Sequence, residues 1–174
     1  PNGDFPHNPE PLKEHLTDLT SAVLRHKAHV GVAVDPDVDR LVFMDEQGVL
    51  FGEEYTLVAC ADYVLAHQKG TVVSNLSSSR ALADLAHQYE VDYHASAVGE
   101  VHVVEKMKSE KAGIGGEGNG GVILPSLHYG RDALVGIALF LSFLAKENCT
   151  VSALKKRYSL SLIHISEPTR RAII

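Results

Sequence analysis

The stretch GVAVDPDVDRLVFMD, residues 31–45, carries three aspartates at alternating positions between two apolar runs. Three carboxylates this close repel one another unless a cation or a set of hydrogen-bond donors lies among them. Carboxylate oxygens on a short turn are ligands that hard divalent ions such as Mg²⁺ and Ca²⁺ prefer. Asp35, Asp37 and Asp39 are therefore predicted to hold a divalent metal ion.

A second polar loop, GGEGNGG at residues 115–121, surrounds one carboxylate with glycines. Glycines let a backbone approach a ligand closely, and a carboxylate that accepts two hydroxyl hydrogen bonds can hold vicinal sugar hydroxyls. With Gly113 the loop contains a G-x-G-x-x-G string, but the run VILP follows where a dinucleotide fingerprint needs a helix. Glu117 is therefore predicted to contact a polyhydroxylated ligand, with a plain glycine-rich turn as the alternative.

The aspartate run alone fits more than one design. In a calcium-binding helix–loop–helix, glycine is needed where Arg40 stands, and helices are needed where this chain has strand-like runs. In a haloacid-dehalogenase phosphatase, Asp35 would be the nucleophile after an apolar strand, although Asp39 stands where that motif has Thr or Val. A run of loop-forming aspartates without a ligand is the remaining alternative.

The two loops together resemble the α-D-phosphohexomutase family, which comprises phosphoglucomutases, phosphomannomutases and phosphoglucosamine mutases. DPDVDR is similar to the family's D-G-D-x-D-R, with Pro36 in place of Gly. GEGNGG is similar to G-E-x-S-G-[HG], with Asn119 in place of Ser and Gly121 at the His/Gly position. RDAL, which begins at Arg131, departs modestly from D-G-[IL]. This resemblance extends over residues 1 to about 158.

Two weaker motifs add to the resemblance. LSSSRAL is similar to the segment that ends T-R-x-L, with Ser79 and Arg80 matching, and SAVGEVHVVEKMK is similar to T-x-V-G-[DEFH], with Gly99 and Glu100 matching. The resemblance implies that these four residues lie at the sugar. Together with the glycine-rich loop, the implied substrate-binding set is Ser79, Arg80, Gly99, Glu100, Glu117, Gly118 and Asn119.

The resemblance also implies a reaction. Family members move phosphate reversibly between the anomeric and primary hydroxyl positions of a hexose phosphate, through a phosphoserine, Mg²⁺ and a hexose bisphosphate. It implies Mg²⁺ at the three aspartates and a catalytic role for Arg40, which would donate to the phosphate. His102 is a weak candidate for the general acid/base, and a histidine on a helix surface is the alternative. The hexose (glucose, mannose or glucosamine phosphate) is left open.

The implied fold is a mixed-sheet, layered α/β domain at residues 50–158, preceded by the end of a similar domain at residues 1–49 that bears the metal loop. Family members have four domains, and the first carries the phosphoserine while the fourth carries the main phosphate-binding loop. The chain is therefore expected to be an internal fragment without domains 1 and 4. By itself it is expected to be inactive, so a non-catalytic, metal-binding fragment is the further alternative.

Apolar spacing predicts the elements that position these loops. Leu12, Leu16, Leu19 and Val23 stand at helical spacing, and HVGVAV is predicted to be a fully buried strand. After the acidic loop, RLVFMDEQGVLFGE is predicted to form a hairpin that turns at residues 46–48. Predicted helices then alternate with strands, which is typical of an α/β layered sheet. The helices are EEYTLVACADYVLAHQ, SSSRALADLAHQY with a serine N-cap, GEVHVVEKMKSE, GRDALVGIALFLSFLAKEN and VSALKKRY with Thr150 as cap; the strands are GTVVSNL, VDYHAS, AGIGGE and GVILP.

Composition narrows the class of protein. The net charge of -6 with scattered Lys and Arg argues against a nucleic-acid partner. Residues 133–145 form the longest apolar stretch, which is too short to cross a bilayer and is predicted to be a buried helix, so no membrane partner is expected. Cys60 and Cys149 are far apart and form no disulfide framework, which indicates a reducing, cytoplasmic location.

The last residues break the pattern. LSLIHISEPTR, residues 160–170, has neither helical nor alternating periodicity and resembles the translation of a transposon-based sequencing adapter. Residues 159–174 are therefore predicted to be an artefactual tail, with a natural C-terminal strand as the alternative.

Overall fold

The computed structural model describes residues 3–5 and 8–158, so the predicted tail lies outside the described residues. A 3-10 turn at Lys13–His15 precedes the first helix. The helices and strands of the described part are α1 (Thr17–His26), β1 (Gly31–Val34), β2 (Leu41–Met44), α2 (Glu53–His67), β3 (Val72–Asn75), α3 (Ala81–Tyr89), β4 (Tyr93–Ser96), α4 (Glu100–Glu110), β5 (Ile114–Glu117), β6 (Gly121–Ile123), α5 (Ala133–Glu147) and α6 (Val151–Tyr158).

The larger sheet has the strand order β4-β3-β5-β6. Strands β3, β4 and β5 are parallel, while β6 returns antiparallel to β5 after the glycine-rich loop. The predicted mixed-sheet α/β fold is confirmed. Because parallel strands end at the same edge, Asn75, Ser96 and Glu117 at the ends of β3, β4 and β5 share one edge of the sheet.

Side chains of the sheet alternate between two apolar layers. Val72 and Val122 face the main core, which is formed with α2, α3, α5 and α6. Their chain neighbours Val73 and Ile123 face the other side, where Val103 and the rest of α4 cover the sheet. This period of two is the one that a strand buried on both faces requires.

The acidic loop connects strands β1 and β2, which pair antiparallel. Gly31 lies opposite Met44 at one end of the pair, and Val34 lies opposite Leu41 at the other. Strand β2 is buried on both faces. Leu41 and Phe43 pack into the main core, whereas Val42 and Met44 pack against α1. Strand β2 therefore joins the N-terminal part of the chain to the layered domain.

Two predictions for this region need correction. The predicted burial of β1 is wrong, because only Gly31 is buried and Val34 is 37% exposed. In the described residues β1 pairs with β2 alone, so much of the strand stays accessible. The predicted turn at residues 46–48 exists, since the Gly48 N–H donates to the Asp45 carbonyl, but its returning arm makes only a bridge between Met44 and Leu50.

Helix ends also differ from the predictions. The first helix begins only at Thr17, and the N-cap of α3 is Arg80, which makes no side-chain capping bond. The predicted cap of α6 is confirmed, because the Thr150 hydroxyl accepts from the Ala153 N–H. Helix α5 is buried on one face only, with Leu134 68% exposed.

Within the part of the chain that the structure describes, no single helix is both long and apolar enough to cross a bilayer. Helices α5 and α6 reach that length only as a pair, which is bent by 95° at the junction.

Candidate functional site

The three predicted metal ligands lie on the turn between β1 and β2. Each offers a carboxylate oxygen, and these three atoms lie within 4.8 Å of one another. Asp35 is buried, Asp39 is half-buried and Asp37 is exposed, so the group opens to solvent on the side of Asp37.

Asp35 shapes the turn. Its Oδ1 accepts hydrogen bonds from the backbone N–H groups of Asp39 and Arg40 at 3.1 and 3.0 Å, and its Oδ2 accepts from Arg40 Nε at 2.7 Å. Burial pushes the pKa of Asp35 upward, but these donors outweigh burial and lower the pKa to about 2. Asp35 is therefore an anion whose charge the protein itself compensates.

Asp39 has the opposite environment. Its Oδ2 accepts from Arg131, but its buried Oδ1 has no hydrogen-bond partner, and Arg40 Nε is 3.8 Å from it. Burial and the adjacent Asp35 carboxylate raise the pKa of Asp39 to about 6. A buried carboxylate oxygen without a donor, beside two further carboxylates, is the donor set that fits Mg²⁺.

The backbone of this turn is strained at Val38. Its φ of 61° is left-handed, which is rare for a β-branched residue and costs about 1–3 kcal/mol. Two hydrogen bonds hold the residue in place: its N–H donates to the Asp35 carbonyl at 3.1 Å, and its carbonyl accepts from the Ala133 N–H at 3.1 Å. The first turn of α5 therefore helps to fix the shape of the metal loop.

Arg40 lies beside the carboxylates, as predicted, and is held from two sides. Its Nε donates to Asp35, and its Nη1 forms an ion pair with Glu10. Sequence reasoning missed Glu10, whose only signal is an acidic residue between the prolines of NPEP. The side chain of Arg40 is still 28% exposed.

Glu117 ends strand β5 and is only 5% exposed. Its Oε1 accepts from Asn75 Nδ2 at 2.7 Å and its Oε2 accepts from Arg131 Nη1 at 2.7 Å. Each carboxylate oxygen keeps a second lone pair, which is the capacity that a ligand hydroxyl would use. The neighbouring Asn119 uses its Oδ1 to accept from the Gly121 N–H at 3.2 Å, which closes the loop on itself.

The glycine-rich loop packs directly against β2, the strand that follows the metal loop. Gly120 has a φ of +91°, and a Cβ there would lie 2.2 Å from the Leu41 carbonyl oxygen. Only glycine combines that dihedral with that approach. Gly118 likewise lies against Ser78, where a Cβ would be 3.1 Å from the Ser78 Cα. The two predicted loops therefore share one edge of the fold.

Glu100 is brought into this cluster, at the first turn of α4. Its Oε1 accepts from the backbone N–H of Arg131 at 2.9 Å, and its Oε2 lies 3.5 Å from Arg131 Nε. Gly99 precedes it as the N-cap, with a φ of 114° that favours glycine. The T-x-V-G-[DEFH]-like segment therefore reaches the same edge as Glu117.

The remaining predicted residues lie at the periphery. The Ser79 hydroxyl accepts from the Ala81 N–H at 3.4 Å, and the side chain of Arg80 is 90% exposed, 3.9 Å from Asp84. His102 is 56% exposed on α4. This matches the alternative of a histidine on a helix surface.

Besides Glu10, sequence reasoning missed two further residues that organise the site. Asn75 holds Glu117, and its own Oδ1 accepts from the hydroxyls of Ser77 and Ser78. Arg131 contacts Asp39, Glu117 and Glu100, although its motif had been noted only as a departure from D-G-[IL]. The available signal for Arg131 was a single basic residue that follows the aspartate loop and the loop of Glu117 in the sequence.

Comparisons with known proteins show the family of this chain. The family model described as phosphoglucomutase/phosphomannomutase, alpha/beta/alpha domain III, matches residues 44–160, and the model of domain II of the same family matches residues 1–48. A phosphoglucomutase/phosphomannomutase from Thermococcus kodakarensis is 34% identical over 180 residues, which cover 100% of this chain and 40% of that protein.

Two further similarities point the same way. A phosphoglucosamine mutase from Mesorhizobium japonicum is 31% identical over 91% of this chain and 36% of its own length. A crystal structure from Thermus thermophilus, named as a phosphomannomutase, superimposes with a TM-score of 0.82 at 25% identity, over 88% of this chain and 36% of that chain. This chain thus spans two fifths or less of these relatives, and it belongs to the phosphoglucomutase/phosphomannomutase family.

Proposed function

We propose that this chain carries the metal loop and the sugar-binding loop of a phosphohexomutase. The parent enzyme would move phosphate reversibly between the anomeric and primary hydroxyl positions of a hexose phosphate, by way of a hexose bisphosphate. Membership of the family and the names of the relatives support this reaction class. The substrate would be a glucose, mannose or glucosamine phosphate, which are the hexose phosphates in the names of the relatives. These three sugars differ by one substituent, so a few contacts would decide among them.

One observation carries the proposal. The aspartate turn and the glycine-rich loop, which are far apart in sequence, meet at one edge, where Gly120 lies against Leu41 and Arg131 contacts both Asp39 and Glu117. Phosphoryl transfer depends on holding the sugar next to the charges that stabilise the transferring group. A shared edge is the arrangement that this reaction requires.

Asp35, Asp37 and Asp39 would hold Mg²⁺, and the unpartnered Oδ1 of Asp39 supports that role. Mg²⁺ bound there would neutralise negative charge on the transferring phosphoryl group. Arg40, whose side chain is 28% exposed, would donate hydrogen bonds to the phosphate. Glu10 and Asp35 would keep its guanidinium in place.

The sugar would be bound by the glycine-rich loop and by the starts of α4 and α3. Glu117 would accept ring hydroxyls with its remaining lone pairs, next to Gly118 and Asn119. Gly99 and Glu100 would approach from the start of α4. Ser79 and Arg80, which the sequence motif implies, would approach from the start of α3, where Arg80 is free to reorient because it is 90% exposed.

The domain assignment is part of this proposal. Residues 1–49 would be the end of the second domain and residues 50–158 the third, with the phosphoserine and the main phosphate-binding loop on domains 1 and 4 of the parent. The family models divide the chain at residues 48 and 44, which supports a boundary near this position. A cytoplasmic location stays a prediction.

A phosphatase that uses Asp35 as a nucleophile fits the geometry poorly. The Asp35 side chain is 0% exposed, and both of its oxygens accept hydrogen bonds. A nucleophile needs a free carboxylate oxygen that can attack the phosphorus atom of its substrate. A metal ligand can instead use the second lone pair of an oxygen that already accepts one hydrogen bond.

Substituting Asp37 tests the metal loop. Asp37 is exposed, so Asp37→Asn should leave the fold intact while it removes one anionic ligand. We expect the affinity for Mn²⁺, used as a paramagnetic probe, to fall about tenfold or more, equivalent to ~1.4 kcal/mol. Electron paramagnetic resonance of free Mn²⁺ measures the affinity.

Asp92→Asn is the matched control, because Asp92 is exposed at the start of β4, away from the carboxyl edge. Equal Mn²⁺ affinity in the chain as given, Asp37→Asn and Asp92→Asn would refute the proposed metal loop.

A further inference from the structure

Arg131 is enclosed by carboxylates from three separate elements. Its Nη2 donates to Asp39 Oδ2, its Nη1 donates to Glu117 Oε2 at 2.7 Å, and its Nε lies 3.5 Å from Glu100 Oε2. The side chain is only 16% exposed. One guanidinium therefore bridges the metal loop, the sugar loop and the start of α4.

The backbone around Arg131 is fixed on both sides. Its own N–H donates to Glu100 Oε1, and the N–H of Asp132 donates to the Val122 carbonyl at 2.9 Å. The aliphatic part of the side chain runs over Gly121, where a Cβ would lie 2.4 Å from Arg131 Cδ. Glycine at this position is therefore what lets the arginine reach across the sugar loop.

The two Nη atoms of the Arg131 guanidinium donate to different proposed sites, one to the metal loop and the other to the sugar loop. Arg131 occupies Oδ2 of Asp39, while Oδ1 of the same carboxylate is buried and has no hydrogen-bond partner. It also occupies Oε2 of Glu117, while Asn75 occupies Oε1, so the carboxylate plane of Glu117 is set from both ends. Partners that orient metal ligands and binding groups commonly matter about 10–100-fold in affinity or activity.

We propose that Arg131 is a positioning residue that couples the metal loop to the sugar loop. A divalent cation at Asp39 draws on the same carboxylate that Arg131 holds, so cation binding redistributes the hydrogen bonds of the guanidinium toward Glu117. The sugar loop thereby responds to the state of the metal loop. This inference rests on the proposed function.

A planar guanidinium can bond two carboxylates at once in a fixed geometry, whereas an ammonium is a point charge on a flexible stem. Arg131→Lys therefore retains the positive charge among the three carboxylates but removes the planar group that bonds two of them at once. Arg131→Leu removes both the charge and the planar group. The pair of variants separates positioning from charge compensation, and the lysine variant keeps the question answerable if the leucine variant fails to fold.

The experiment titrates the 174-residue chain with Mg²⁺ alone and follows backbone amide signals by ¹H–¹⁵N NMR. In the unsubstituted chain we expect shifts at Asp37 and Asp39 and concurrent shifts at Gly118 and Asn119. In Arg131→Lys the shifts at the metal loop persist, and those at Gly118 and Asn119 are lost. Arg25→Leu, an exposed arginine on α1, is the matched control and retains both sets.

Three outcomes would overturn the coupling. Shifts at the metal loop without any at Gly118 and Asn119 in the unsubstituted chain would remove the link while leaving the proposed function standing. Coupled shifts that survive in Arg131→Lys would show that charge alone suffices. No shift at Asp37 and Asp39 at any Mg²⁺ concentration would refute the proposed function and the coupling together.

Discussion

At the scale of single residues, two aspartates of the metal loop have pKa values that are shifted in opposite directions. Asp35 and Asp39 are four positions apart, yet the pKa of Asp35 is lowered to about 2 and that of Asp39 is raised to about 6. Both are pushed upward by burial, and the difference lies in the donors: Asp35 receives three hydrogen bonds, while Asp39 Oδ1 receives none. Of these two aspartates, Asp39 is therefore the one that titrates near pH 6.

This asymmetry predicts a pH-dependent metal affinity. A metal ligand must be deprotonated, and below about pH 6 the metal-free chain holds a proton on Asp39. Mg²⁺ affinity should therefore be nearly constant above pH 7 and fall about tenfold per pH unit below 6. Calorimetric titrations at several pH values measure this, and uptake of Mg²⁺ should release a proton. Asp35 contributes no such change, because its pKa lies far below this range.

An affinity that stays flat between pH 7.5 and 5 would show that Asp39 is not a ligand or that its pKa is not raised in solution.

At the scale of elements, the start of α5 supports the site. The Asp132 side chain caps the helix by accepting from the N–H groups of Leu134 and Val135, at 2.8 and 3.1 Å. The N–H of Ala133, which directly follows the capping residue, donates to the Val38 carbonyl of the strained metal loop. Arg131, the capping Asp132 and the N–H that bonds the metal loop are therefore consecutive in the sequence.

Removing the cap should cost stability. We expect Asp132→Ala to lower the free energy of unfolding by about 1 kcal/mol and the melting temperature by roughly 2–4 °C. Thermal unfolding followed by circular dichroism measures both. Asp132→Asn is the control, since asparagine also caps well, and it should recover most of the loss.

The same residue predicts a pH effect of definite sign. A hydrogen bond from His128, ahead of the opposing effect of burial, lowers the pKa of Asp132. A carboxyl whose folded pKa is depressed stabilises above its unfolded pKa and loses that contribution as the pH falls through the folded value. The difference in stability between the unsubstituted chain and Asp132→Ala should therefore shrink in acid below about pH 4. A difference that grows in acid would contradict this assignment.

At the scale of the whole molecule, one aromatic cluster joins the N-terminal hairpin to the layered domain. Phe43 of β2 stacks on Phe140 of α5 with ring centroids 3.8 Å apart, and Phe51 meets Phe140 edge-on at 5.0 Å. All three rings are 0% exposed. The main core is therefore continuous across the proposed domain boundary.

Deleting the central ring tests this continuity. We expect Phe140→Ala to lower the free energy of unfolding by about 3–5 kcal/mol, measured by urea denaturation. Leu141→Ala, at the neighbouring and 41% exposed position, is the control and should cost far less. A small effect of Phe140→Ala, or separate unfolding transitions of the two parts in the unsubstituted chain, would contradict a single core.

The chain by itself should bind without catalysing. Phosphoryl transfer requires a donor placed beside the sugar, and the proposal assigns the phosphoserine to another domain. We expect no detectable conversion of glucose 1-phosphate to glucose 6-phosphate in a coupled assay. We do expect glucose 1-phosphate to shift the amide signals of Glu117 and Gly118, and Glu117→Ala should abolish those shifts, whereas Glu105→Ala on the exposed face of α4 should not.

Turnover by the purified chain would overturn the domain assignment. Shifts that survive in Glu117→Ala would remove Glu117 from the sugar site.

Much of this protein could be predicted from local sequence. Helices α2, α4 and α5 and strands β3 to β6 lie where apolar spacing predicts them, because hydrophobic period and turn residues act over a few neighbouring positions. The crowding of Asp35, Asp37 and Asp39 is also local, since five residues on one turn cannot separate three carboxylates widely. Motif spacing was sufficient to indicate the family.

Tertiary structure alone decided which side chains bind the carboxylates of Asp39 and Glu117. Arg131 meets Asp39 across 92 positions of sequence, and Asn75 meets Glu117 across 42. The exposure of β1 and its pairing with β2 around the acidic loop were also not apparent from its uniformly apolar run. Such contacts depend on strand order, on register and on which elements cover which face, and none of these is encoded by the residues within a single turn or strand.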